Sequence, residues 1–265
     1  MVQVYNLHIM GMKGLVSTLF AAVILITAAE VCLAQQSDIE TAIGLISQKD
    51  YPTAIEVLRR IVKNDHSNSP AWFYLGQAYD KSSKKGEAGD AFHKAFETGY
   101  SGFRERFVQY ADSPKTSRLS EFIKSEKSSI SMTISSASAA AKLKGDDFFD
   151  NYSRLRTNAL YGLLQIETLG EPAMPGADRA MTILRKPHAQ TPVNAKWIGQ
   201  DVTVLLMVVF GSDGKVHSAI PLGKPQPSFD VEAMKAAWGI EFEPARKDGK
   251  LLTIMKRVEY SFHTQ

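Results

Sequence analysis

Between Ser69 and Ala95 the chain reads SPAWFYLGQAYDKSSKKGEAGDAFHKA, and this stretch constrains the fold more than any other. Trp72, Leu75 and Tyr79 recur at helical spacing before Ser82-Ser83; Ala88, Phe92 and Ala95 do so after it. Two helices joined by so short a turn lie antiparallel. Gly76 and Ala88 are small where the pair approaches closely, and Trp72, Tyr79 and Phe92 fill the space on either side. A weaker copy precedes it over 35–68, where Tyr51, Ala54, Leu58 and Ile61 repeat the second-helix spacing and Ala42 takes the place of Gly76. The spacing predicts helical hairpins over 35–126. Beyond Tyr100 the register fades, and 103–126 reads as two short helices broken at Ser113-Pro114.

The seven small and large positions of the better copy resemble a tetratricopeptide repeat. Thr41 and His66 depart from the pattern in the first copy, where leucine and proline are common. Two repeats bury little surface alone, so this segment is expected to cap a larger array. The resemblance implies a groove for a peptide or partner protein, lined from the first helix of each hairpin. The groove residues here would be Ile43, Ser47, Phe73, Gln77 and Asp80.

A second pattern governs the C-terminal 80 or so residues. Thr191-Pro192 predicts a short helix running to Gly199, with an N-cap threonine and proline in the first turn. The run VTVLLMVVF from Val202 predicts a buried strand, Asp213-Gly214 a hairpin turn, and 216–222 its return strand. Ser228 and Asp230 open a helix carrying Val231, Met234 and Trp238 on one face. Asp248-Gly249 is a further turn. The last strand, 256–263, alternates Val258, Tyr260 and Phe262 with Arg257, Glu259 and Ser261.

The words ILRKP, FGSDGKV, FEPARKDGK and VEYSF in this order resemble the TonB C-terminal domain over 182–263, most specifically at 242–250. Gln190 stands where that family has an aromatic, Val202 where it has a second glycine, and no proline-rich rod precedes the domain. The resemblance implies that the last strand is an open sheet edge on which a TonB-box peptide of an outer-membrane receptor lies. Arg257, Glu259, Ser261 and His263 would form that edge. Unpaired backbone groups make such an edge a template, and Lys256, Arg257 and Glu259 guard it against self-association.

The expected fold is therefore α+β. Tetratricopeptide-type hairpins come first, then a small α+β domain with a three-stranded antiparallel sheet and two helices. Between them, 127–181 reads as a linker with one amphipathic helix. The Ser/Ala-rich part, 127–147, lacks large apolar residues. Phe148, Tyr152, Leu155, Ala159, Leu163 and Ile166 then recur at helical spacing, and Glu171 to Gly176 ends the helix. Asp146, Asp147 and Asp150 suit a helix N-terminus better than a calcium loop.

The first 34 residues read as an export signal. The apolar stretch 15–29 is shorter than the roughly 20 residues of a membrane span. Cys32-Leu33-Ala34 places small residues where signal peptidase reads them, after Lys13 and the start at Met12. A periplasmic protein is expected, with an uncleaved inner-membrane anchor as the alternative. In the anchored case, inner-membrane motor proteins would be partners. Cys32 is the sole cysteine, so the processed chain would have no disulfide, thiolate or cysteine-ligated metal.

Catalytic patterns are missing from the sequence. His66, His93, His188, His217 and His263 are dispersed, and Ser82-Ser83-Lys84-Lys85 falls in a solvated turn. No phosphate-binding or dinucleotide fingerprint occurs. The formal charge of +3 is too small for a nucleic-acid binder, and its excess sits in 182–265, with 11 basic against 8 acidic side chains. A non-catalytic binding protein without cofactor, small-molecule substrate or nucleic acid is expected. It would be either a TonB-like energy transducer or a soluble envelope scaffold.

Overall fold

A computed structural model describes residues 36–112, 119–145, 150–169, 178–193 and 199–263. The chain divides into two compact units, one up to His66 and one from Ser67 onward. The export signal and Cys32 lie outside the described residues, as do Ser113-Pro114, Asp146, Asp147, Phe148, 171–176 and most of the helix expected after Thr191. No helix among the described residues is long and apolar enough to cross a membrane.

The first unit holds α1, over 36–47, and α2, Tyr51–Asn64. Asp50 caps α2 by accepting from the Thr53 amide, and Pro52 occupies its first turn. Ala42, Ala54, Leu58 and Ile61 are buried, the same residues whose spacing marks the weaker copy.

The second unit opens on α3, Ser69–Lys81, and α4, Lys85–Asp112. Asn68 caps α3 through the Ala71 amide at 3.0 Å. The hairpin closes where the small residues require it, since a Cβ on Gly76 would lie 2.8 Å from the Phe92 ring. Helix α4 does not stop near Tyr100 but runs 28 residues to Asp112. Its added turns bury Phe103 and Phe107, an i, i+4 pair of stacked rings.

The Ser/Ala-rich stretch is not a linker. It forms most of α5, Leu119–Lys144, which packs along α4. Small side chains let the helices approach: a Cβ on Gly99 would overlap the Thr133 hydroxyl. Thr133, Ser136 and Ser138 return their hydroxyls to the carbonyl four residues back, so burying the first two leaves no polar atom unpaired. Low hydrophobicity here marks a close contact.

Helix α6, Asn151–Leu164, is capped by Asp150 through the Ser153 amide, and α7 is Ile166–Leu169. Strand β1, Thr182–Arg185, pairs antiparallel with β4, Glu241–Glu243. Strands β2, Val202–Phe210, β3, Val216–Pro221, and β7, Ile254–Phe262, form the expected antiparallel sheet in the order β3-β2-β7. Helix α8, Pro227–Trp238, covers it. Asp230 lies in the first turn of α8, as expected. It is buried, accepting from the Gln226 amide and the Tyr152 hydroxyl. Strands β5, Ala245–Lys247, and β6, Lys250–Leu252, make a hairpin through Asp248 and Gly249, both at positive φ.

One apolar core runs from Phe96 of α4 through α5 and α6 to Phe262 of β7. The sequence boundaries after 126 and 181 therefore do not separate bodies. Polar contacts cross the same ground. Arg104 Nε donates to the Pro221 carbonyl at 2.9 Å, and Arg156 of α6 makes two bonds to Glu97 of α4 at 2.6 and 2.9 Å. The Arg156 guanidinium lies over Phe96, Tyr100 and Tyr152, within 5.0 Å of each ring centre.

Candidate functional site

The three-stranded sheet has two outer edges, and they are treated differently. In an antiparallel ladder the amide and carbonyl of a residue point to the same side, and successive residues alternate. The Leu222 amide donates to the Leu205 carbonyl, so Leu205 faces β3 and its neighbours Val204 and Leu206 face β7. Their partners there are Tyr260 and Val258. By the same alternation, Arg257, Glu259 and Ser261 turn their amides and carbonyls away from the sheet.

At the β3 edge two of those outward carbonyls are covered. The His217 carbonyl meets α6 at Gly162, where a Cβ would overlap it, and the Pro221 carbonyl takes the Arg104 bond. Ser218 fastens the strand further by donating to the Ala159 carbonyl of α6 at 3.0 Å. At the β7 edge no strand pairs among the described residues. Lys186 reaches it, donating to the Glu259 carbonyl at 2.5 Å with its ammonium 4.5 Å from the centre of the Tyr260 ring. That bond agrees with the side assigned to Glu259 from the ladder.

The side chains of β7 sort as their alternation predicts. Val258, Tyr260 and Phe262 are buried, and Arg257, Glu259, Ser261 and His263 are exposed. Burial pushes the Tyr260 phenol up to about 12, so it stays neutral. Arg257 is tied to the end of α4, to the Ala111 carbonyl at 3.2 Å and to the Asp112 carboxylate. His263 meets Asp201 at 3.0 Å. Lys186, Lys256 and Arg257 flank this edge, together with the acids Glu259, Asp112 and Asp201.

The expected repeat-groove residues fall in both units. Ile43 and Ser47 lie on α1 in the first unit, with the Ser47 hydroxyl returned to the Ile43 carbonyl. Phe73, Gln77 and Asp80 run down one half-buried face of α3 in the second. Phe73 packs edge-on against Phe92, and Asp80 pairs with Lys85 at 2.6 Å.

Some features escaped the sequence reading. Lys186, Arg104 and Gly162 act across 73, 117 and 55 residues, and no local pattern announces such partners. Asp213 and His217 form an i, i+4 acid–imidazole pair at 2.9 Å, closed on the other ring nitrogen by Gln165. Burial works against the Asp213 charge, but bonds from His217 and the Lys215 amide outweigh it and hold the carboxyl below its ordinary value. No group of three or more metal-ligating side chains occurs among the described residues.

No protein-family model matches the chain. No curated protein matches it either. Among solved structures, the type III secretion translocator chaperone SycD of Yersinia enterocolitica aligns at 16% identity, covering 50% of this chain and 85% of that one, with a TM-score of 0.25. SycD in complex with a peptide of the translocator YopD gives the same identity and TM-score over 93% of that chain. YrrB, described as a tetratricopeptide protein with an unusual peptide-binding site, aligns at 17% identity over 50% of this chain and 62% of its own, with a TM-score of 0.23. At these scores the likenesses establish nothing about what this chain does, and the two family resemblances rest on the residues quoted above.

Proposed function

We propose that this chain is an exported, non-catalytic binding protein whose β7 edge receives an extended segment of a partner by strand addition. The observation that carries this reading is the contrast between the two sheet edges. Helix α6 and Arg104 cover outward carbonyls of β3, whereas no strand among the described residues pairs with the outer side of β7, where the amides of Arg257, Glu259 and Ser261 point. Main-chain bonds of this kind supply affinity, and alternate side chains supply selection. The resemblance to TonB suggests TonB-box segments of outer-membrane receptors as the partner, with the chain in the periplasm. The face of Phe73, Gln77 and Asp80 is a second, independent candidate for protein contact.

The soluble envelope scaffold is the form of this reading that the architecture favours over an energy transducer. The sheet shares its core with α4, α5 and α6, and no extended proline rod gives it reach. The test is calorimetry of residues 35–265 with a TonB-box peptide. Glu259→Pro or Ser261→Pro removes an outward amide and is expected to weaken binding at least about tenfold, whereas Glu259→Ala leaves the ladder and the affinity unchanged. Equal binding by the wild type and both folded proline variants would overturn the proposal.

A further inference from the structure

On the β3 side of the sheet, two strands from the β7 edge, α6, the β2–β3 turn and α8 enclose an open groove of about 650 Å³. Its walls are apolar and aromatic: Leu155 and Tyr161 from α6, Val216 from β3, Trp238 from α8. Tyr161 is 49% exposed, a large side chain left without cover.

The groove carries amides at Asn158 and Gln165, and its ionisable nitrogens come from two lysines and a histidine. Lys215 and Lys235 line it, and so does His217. Lys235 is satisfied by Glu232 at 2.8 Å and His217 by Asp213, but the Lys215 ammonium has no partner among the described residues. The Trp238 indole N–H is buried with no acceptor among the described residues. No carboxylate is among the lining residues.

We propose that this groove is a binding site for a small amphiphilic carboxylate, its aromatic or aliphatic body between Tyr161 and Trp238 and its acid group on Lys215. The size selects a small molecule over a protein segment. Ligand pockets run to roughly 300–1,000 Å³, whereas a stable protein interface needs about 20–30 residues a side. Ten residues line this groove. Charge selects an anion, because the lining carries Lys215, Lys235 and His217 and no carboxylate. Rigidity comes from the packing of α6 on β3, where Gly162 and Val216 form adjoining parts of the wall.

The experiment titrates residues 35–265 with 2-naphthoate, and with neutral 2-naphthamide as control, followed by amide and indole chemical shifts. Saturable shifts at Tyr161, Lys215, Val216 and the Trp238 indole are expected, with the amide binding about tenfold or more weakly, the factor a charge-assisted bond supplies. Lys215→Gln, at an exposed turn, should weaken the acid to the level of the amide and leave the amide unchanged. Equal affinity for acid and amide, indifference to Lys215→Gln, shifts centred elsewhere, or no saturation would each overturn the proposal.

Discussion

The carbonyl oxygen of His217 occupies the space into which a side chain at residue 162 would project, so only glycine lets α6 lie against the outer edge of β3. That contact closes one edge of the sheet and leaves β7 as the exposed one. Gly162→Ala is therefore expected to force α6 off β3 and to destabilise the fold by about 3 kcal/mol or more, since the obstacle is backbone and cannot rotate away. Urea unfolding of the variant measures this. A change below about 1 kcal/mol would mean that the helix is not held there.

Helices α4 to α6 and the sheet should unfold together. Arg104 satisfies the buried Pro221 carbonyl, and Tyr152 reaches Asp230 at 2.9 Å. Limited proteolysis should leave 127–144 uncut and release no stable fragment over 182–265. Arg104→Ala should cost about 1–3 kcal/mol by leaving that carbonyl unpaired, and it should shift a single transition without splitting it. Two transitions, or an excised sheet module, would contradict the shared core.

Asp230 gives a pH dependence whose sign is fixed. Burial raises its carboxyl above the ordinary value, and bonds from Gln226 and Tyr152 with the charges of Arg104 and Arg156 offset this only in part. The folded state then holds the proton more tightly than the unfolded chain. The contribution is complete below about pH 4, the unfolded value, and is lost as pH rises through the raised folded value. The unfolding free energy of the wild type minus that of Asp230→Asn should accordingly fall between pH 4 and neutrality. A difference that grows with pH would reverse the assignment.

Two helical glycines should respond oppositely to alanine. At Gly76 the added Cβ would meet the Phe92 ring at 2.8 Å, and about 1–3 kcal/mol should be lost. At Gly44 nothing lies within 4 Å, and helix propensity should return up to about 1 kcal/mol. Thermal unfolding of both variants checks the pair; stabilisation at Gly76 would argue against the close hairpin.

These contrasts show which parts of the molecule its sequence discloses. Local periodicity disclosed the α3–α4 hairpin, the nine-residue β2 and the inward face of β7, because each is written within a few turns or a few alternations. It misread α5, where Thr133, Ser136 and Ala137 are buried by helix proximity with no run of large apolar residues to mark them. It could place Arg257, Glu259 and Ser261 on one side of the last strand. It could not tell that α6 closes the opposite edge, nor that Lys186 sits on the Glu259 carbonyl, because those contacts join residues 55 and 73 positions apart. The groove at Trp238 was invisible for the same reason: three elements distant in sequence build it.

Amide hydrogen exchange along β7 tests the open edge most directly. In the free chain the amides of Arg257, Glu259 and Ser261 should exchange fast while those of Val258 and Tyr260, bonded to β2, are protected. Saturation with a TonB-box peptide should protect the outward three and leave the inward two unchanged. Outward amides already protected in the free chain, or still exchanging fast with peptide bound, would contradict strand addition at β7.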